Sequence, residues 1–259
     1  MGKNDSSKTR VVPFMKFLNK DISLINIFLK KCLRTNVELT SNITEYRYGK
    51  KSNGDPGEMS IPAKQSLLIW YILHPEKLDR AQNIQRNGSP NISTINAREE
   101  FFNGIKARKI EALNAISELN KKDKYGYGKE WYYFEGYTNP DIYIETDSII
   151  LIGEAKRTES HLTNEVTWYK KRDQLIRHVD SIFGTERAEG KDVYSFLILD
   201  GKNEGTMKDI IYYPEEQIIK DSLPHLIPEE QKQIKETYIG FTTWQAIELI
   251  FGFSFSDEK

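Results

Sequence analysis

Apolar positions recur at three- and four-residue spacing through the first 125 residues and fall into short alternating or unbroken runs after them. The chain therefore reads as a mainly helical N-terminal region, 1–125, and a mixed α/β region, 126–259, whether as two domains or one continuous one. In the first region a polar tail, 1–10, precedes a helix capped by Asp21 or Ser23 and running to about Arg34. A Gly- and Pro-punctuated loop, 46–62, leads to a helix near Ala63–Leu73. A loop around Asn87–Pro90 and a long helix from Ile95 to about Asn120 follow. In the second region strands are expected at 130–136, 140–145, 148–156 and 193–199, with a last one at Tyr238–Thr242. Between them an amphipathic helix, 165–183, places Trp168, Leu175, Val179 and Ile182 on one stripe and Gln174, Arg177, His178 and Ser181 on the next. Thr242 or Thr243 caps a closing helix, Trp244–Phe251. The runs 149–152 and 196–199 are apolar at successive positions, as in central strands covered on both faces. The expected class is α/β, a central mixed sheet flanked by helices.

Chemistry concentrates at the end of one such strand. The run Ile149–Gly153 leads directly into Glu154-Ala155-Lys156, and Pro140-Asp141 stands thirteen residues before that glutamate. Residues i and i+2 of a strand share a face, so Glu154 and Lys156 point to the side of Ile150 and Ile152. A neighbouring strand would bring Asp141 to them. Two carboxylates with room for water suit a hard cation such as magnesium, and a lysine beside them steadies negative charge building on phosphate. The competing reading is a same-face ion pair between Glu154 and Lys156 at a sheet edge. Other acid-x-Lys trios sit in poorer contexts. Glu189-Gly190-Lys191 is in a loop, Glu230-Gln231-Lys232 in a helix beginning at Pro228, and Asp200-Gly201-Lys202 in Asp-Gly turn chemistry.

Pro140, Asp141, Glu154 and Lys156 resemble the signature of the PD-(D/E)XK nucleases, the restriction-endonuclease-like superfamily, over a stretch from about Trp131 to Phe183. The resemblance implies a restriction-endonuclease-like core and a magnesium-dependent phosphodiesterase, with manganese as a substitute. Asp141 and Glu154 would hold the metal with the Ala155 carbonyl as a further candidate ligand, and Lys156 would activate or orient the attacking water. Gln174, Arg177 and His178 would support the site or touch substrate, against the alternative of a solvated helix face. Arg47, Lys50, Lys51, Lys170 and Lys171 are candidate phosphate contacts. Superfamily members often add an upstream acid. Glu135 is the nearest, on the face of Asp141 if the connection between their strands is five residues and on the other if four; Glu100 and Glu111 compete for that role. The substrate would be DNA, in restriction, defence or repair, with a homodimer as the assembly that cuts both strands. The alternative is a catalytically silent module of the same fold that binds nucleic acid or protein.

Composition narrows the setting. Cys32 is the single cysteine and the four histidines lack metal-ligand spacing, which removes an internal disulfide and a multi-cysteine zinc site and fits a reducing, cytoplasmic compartment. No apolar run is long enough to span a bilayer, and the N-terminus carries no secretory pattern. Net charge is −1, but its distribution is uneven. Lys156–His178 holds six Lys or Arg against three Asp or Glu, and Glu204–Glu236 holds four against eight, so positive charge gathers near the proposed site. Gly184–Lys191 lacks the spacing and the Ser or Thr of a phosphate loop. A myristoylation-like start at Met1 has no supporting membrane signal.

Overall fold

The computed structural model describes residues 7–80, 91–119, 130–156, 168–252 and 254–255, and is built around one five-stranded mixed sheet. Its strands lie side by side in chain order: β1 (Ile43–Arg47), β2 (Ile142–Thr146), β3 (Ile149–Ala155), β4 (Asp192–Leu199) and β5 (Tyr238–Thr243). β1, β2 and β3 are antiparallel; β3, β4 and β5 are parallel. The tight β2–β3 turn is closed by the Thr146 hydroxyl, which accepts from the Ile149 amide at 3.0 Å. Parallel neighbours need a crossover instead, and the segment carrying the helix 174–183 supplies it between β3 and β4.

The helices are α1 (Val12–Leu18), α2 (Ile22–Ile27, continued by a π turn to Cys32), α3 (Gln65–Leu73), α4 (Ile92–Phe102) and α5 (Lys106–Ser117). After the first strands of the core come α6 (Gln174–Phe183), α7 (Glu204–Asp209), α8 (Glu216–Ser222), α9 (Pro228–Glu236) and α10 (Trp244–Phe251). Phe14, Ile25 and Trp244 from α1, α2 and α10 pack on one sheet face against Ile144, Leu151 and Phe196. Val179, Ile219 and Ile234 from α6, α8 and α9 pack on the other against Tyr143, Ile152 and Leu197. β3 is thus buried on both sides, as its unbroken apolar run requires. A third cluster joins α3, α4 and α5 to Trp131, Phe134 and Trp168. Gly153 stands opposite Phe196 across β3–β4, and a Cβ there would meet the phenylalanine ring at 2.5 Å. Only glycine lets that ring lie against the strand.

Several boundaries differ from the sequence expectation. The long helix from Ile95 breaks into α4 and α5 at Gly104, whose φ of +83° is left-handed. The helix expected from Glu165 begins at Gln174, because Asp173 caps it by accepting from the Ile176 amide at 3.0 Å. Trp168 and Lys170–Arg172 therefore precede α6. No strand forms at 130–136; its aromatic residues turn into the third cluster, and the free edge of β2 is taken by β1. β1 itself was not expected, since Ile43-Thr-Glu-Tyr-Arg47 offers only two apolar residues. Of the two residues expected for each cap, Asp21 caps α2 and Thr243 caps α10. Residues 1–6 of the expected tail, the loop 87–90, residue 120 and residues 165–167 lie outside the described residues. Among the described residues no helix is long and apolar enough to cross a membrane.

Candidate active site

The site grows out of the β2–β3 register. Ile142 pairs with Gly153 as the last pair of the ladder, and Asp141 and Glu154 are the next residues on the two segments. Directly opposed residues of an antiparallel pair share a face. The α6 side of the sheet, which takes Tyr143, Ile150 and Ile152, therefore also takes Asp141, Glu154 and Lys156. The regular ladder stops there, and the Ala155 amide donates instead to the Asp141 carboxylate at 3.0 Å.

Glu154 and Lys156 are each 3% exposed, and Lys156 Nζ donates to Glu154 Oε1 at 3.0 Å. The same-face ion pair between Glu154 and Lys156 exists, but on a central strand with neighbours on both sides and not at an edge. α6 closes over the pair. Gln174 Oε1 accepts from Lys156 Nζ at 2.8 Å, and His178, four residues on and hence on the same helix face, places Nε2 3.1 Å from Glu154 Oε2. Its Nδ1 lies 2.5 Å from Thr138 Oγ1. A proton on Nε2 serves the carboxylate and leaves Nδ1 to accept from the threonine hydroxyl. From behind, the Lys156 amide donates to Ile198 O at 2.8 Å and Trp244 Nε1 donates to Lys156 O at 3.0 Å, so the backbone bearing the amine is fixed on both sides.

The two carboxylates are electrostatically unequal. Burial and the Glu154 charge push the Asp141 carboxyl well above the usual carboxylate range, against the Ala155 amide and Lys156, which pull it down; Glu58 pushes it further up. Burial would raise Glu154 too, but the His178 hydrogen bond and the Lys156 charge outweigh it and hold that carboxyl low. Burial holds the His178 imidazole below its ordinary value, and only Glu154 opposes it. A half-buried acid facing a second acid is the surplus negative charge that a cation relieves. Among the described residues no group of three or more His, Cys, Asp or Glu side chains is arranged to hold a metal ion. The donor set is two carboxylates, Asp141 half-buried and Glu154 buried with both oxygens hydrogen-bonded; their oxygens are the donor type magnesium uses, one or two carboxylates beside waters and substrate phosphate.

The remaining predicted residues go elsewhere. Arg177 Nε donates to Glu135 Oε1 at 3.1 Å, and its Nη2 donates to the Gly136 and Tyr137 carbonyls at 3.2 and 2.9 Å. Glu135, 2% exposed, also accepts from the Tyr71 hydroxyl at 2.7 Å and pairs with Arg172 at 3.3 Å. With no strand at 130–136, the question of its facing Asp141 does not arise. Glu100 and Glu111 pair with Arg108 at 2.7 Å in the α4–α5 region. Arg47 is held by Glu45 and the Pro56 carbonyl, while Lys50 and Lys51 lie exposed just beyond β1. Two site residues were missed: Thr138 and Glu58. Both come from an antiparallel bridge in which the Ile61 and Thr138 amides and carbonyls exchange hydrogen bonds at 2.9 and 2.8 Å, laying the 57–61 loop beside Pro140-Asp141. Such a bridge spans more than seventy residues and has no local sequence signal.

Comparison of the chain with family models, with curated proteins and with solved structures finds no match.

Proposed function

We propose that this chain is a magnesium-dependent nuclease of the PD-(D/E)XK type, with a restriction-endonuclease-like core, that hydrolyses phosphodiester bonds in DNA. The observation that supports this reading is the clustering at the end of β3, where Lys156 Nζ lies 3.0 Å from Glu154 and the Asp141 carboxylate accepts from the intervening Ala155 amide at 3.0 Å. Asp141 and Glu154 would hold the cation, with the Ala155 carbonyl as a further candidate ligand. When bound, magnesium neutralises charge on the phosphate under attack. Lys156 adds a fixed ammonium beside it, oriented by Gln174, and positions the nucleophilic water. His178 holds the Glu154 carboxylate in one rotamer, and Thr138 holds the imidazole. Restriction or defence would be the setting and a homodimer the assembly for two-strand cutting.

One observation favours a catalytically silent binding module instead. Both Glu154 oxygens already have partners, Lys156 and His178. Supercoiled plasmid incubated with the protein, with magnesium or chelator, separates the two. The nuclease reading expects magnesium-dependent nicking that disappears in Asp141→Ala and falls ~10²–10³-fold in Lys156→Ala, the loss typical of removing one preorganised charge-stabilising donor. Undiminished cutting by either variant would refute the assignment.

A further inference from the structure

A concave surface lies beside the segment that enters α6. It is a cleft of about 430 Å³ walled by α3, the turn after it, residues 169–171 and the end of α8. That volume falls in the range of small-ligand sites and accommodates one nucleotide. Its aromatic wall is Trp70, half-buried, with Tyr169 edge-on at 5.6 Å and His74 stacked on it at 4.7 Å. Around that wall stand Lys77, Lys170, Lys171 and Lys220, with Asp79 and Asp221 in the lining and Glu216 paired with Lys220 at 2.9 Å from the exposed face of α8. Lys170 and Lys171 pair with those acids at 3.2 and 3.1 Å, but both lysines are about half or more exposed, and ion pairs of that kind are worth so little that a phosphate can take over the ammonium.

Placement adds to composition. Lys171 precedes Gln174 by three residues, so their Cα atoms are no more than about 11 Å apart, and Gln174 binds the site lysine. The floor of the cleft is fixed rather than loose, because the Tyr169 hydroxyl donates to Asp221 O at 2.8 Å and Asp173 N donates to Ser222 Oγ at 2.9 Å. A rigid aromatic wall ringed by ammoniums is the arrangement that binds an unpaired strand, bases on the ring and phosphates on the lysines.

We infer that this cleft binds a single strand of nucleic acid adjacent to the Asp141–Glu154–Lys156 site, Trp70 stacking a base and Lys77, Lys171 and Lys220 holding the flanking phosphates. The inference rests on the nuclease reading for its substrate class, and its test does not depend on cleavage. In the Asp141→Ala background, a fluorescein-labelled twelve-residue oligo-dT is titrated by anisotropy at several salt concentrations, with a duplex of equal length beside it. Trp70→Ala is expected to weaken oligo-dT binding roughly 5- to 150-fold, the loss of one stacked base. Lys77→Glu, at an exposed position with no core role, is expected to flatten the salt slope by about 0.7 or more for the phosphate it loses. The duplex, whose paired bases cannot stack on the ring, is expected to respond less to Trp70→Ala. Binding within twofold of the parent in both variants, or no oligo-dT binding by the parent at low salt, would overturn the cleft. If Trp70→Ala melts early, Lys77→Glu and Lys220→Glu carry the test alone. Plasmid nicking with unaffected oligonucleotide binding removes the cleft and leaves the nuclease; weakened binding without nicking does the reverse.

Discussion

Two groups of acids lie along α6, and their charge is met in opposite ways. On one side, Asp180 and Glu135 are fully buried beside cations: Arg172 contacts both, at 2.6 and 3.3 Å, with Arg177 on Glu135, Lys64 on Asp180, and the His225 imidazole 3.2 Å from Asp180. Burial would raise Asp180, but Arg172 and His225 hold it well below the usual carboxylate range. On the other side, Asp141 and Glu154 share essentially one lysine, and Asp141 is pushed up. The same residue types and the same helix yield a closed ionic lock in one place and an unbalanced, half-open pair in the other. Charge met within the fold stabilises; charge left over is available to an external cation or substrate.

The largest effect should come from breaking the lock. Arg172→Ala leaves two buried carboxylates short of their shared partner and is expected to cost about 3–5 kcal/mol. For a chain of this size that lowers the melting temperature by roughly 6 °C or more in calorimetry; an unshifted melt would mean that the lock contributes nothing. Next, His178→Ala removes the group that orients Glu154. Under the nuclease reading the magnesium needed for half-maximal nicking should rise ~10- to 100-fold, as for other residues that orient a metal ligand, with the saturated rate changed less. A lower saturated rate at unchanged magnesium demand would instead place His178 on the substrate. The smallest effect is on acid stability. Because Asp180 binds its proton more weakly folded than unfolded, its contribution is complete above the ordinary carboxylate value and is lost as pH falls below it. Asp180→Asn should therefore melt lower at neutral pH but lose less than the parent between about pH 5 and 2, by at least ~1 kcal/mol. Parallel pH curves would assign that acid sensitivity to other groups.

What could be read in the sequence was local. β3 announced itself by an unbroken apolar run, α10 by Thr243 before an apolar helix, and the face shared by Glu154 and Lys156 by strand geometry alone. Gln174 and His178 reached the site because helical spacing put them on one stripe. Arg177 lay on that stripe too, yet it serves the lock, since three residues of helix turn it toward Glu135. The run Trp131–Phe134 has the composition of a strand, and only its packing on α4 and against Trp168 shows that it is a turn. β1, Glu58 and Thr138 depend on pairings between distant segments, which no window of sequence contains.

Gly153 gives β3 the character of a thin partition. On its far side the Phe196 ring presses directly on backbone, with no side chain between them as a cushion, and on its near side Glu154 projects from the next residue. With a Cβ there either the ring or the strand must give, and a strand that gives carries both members of the acid–lysine pair with it, although neither contact of that pair would have been touched. The hydrophobic packing behind the sheet and the spacing of the charges in front of it are therefore inherited together, and the position that joins them bears no chemistry of its own.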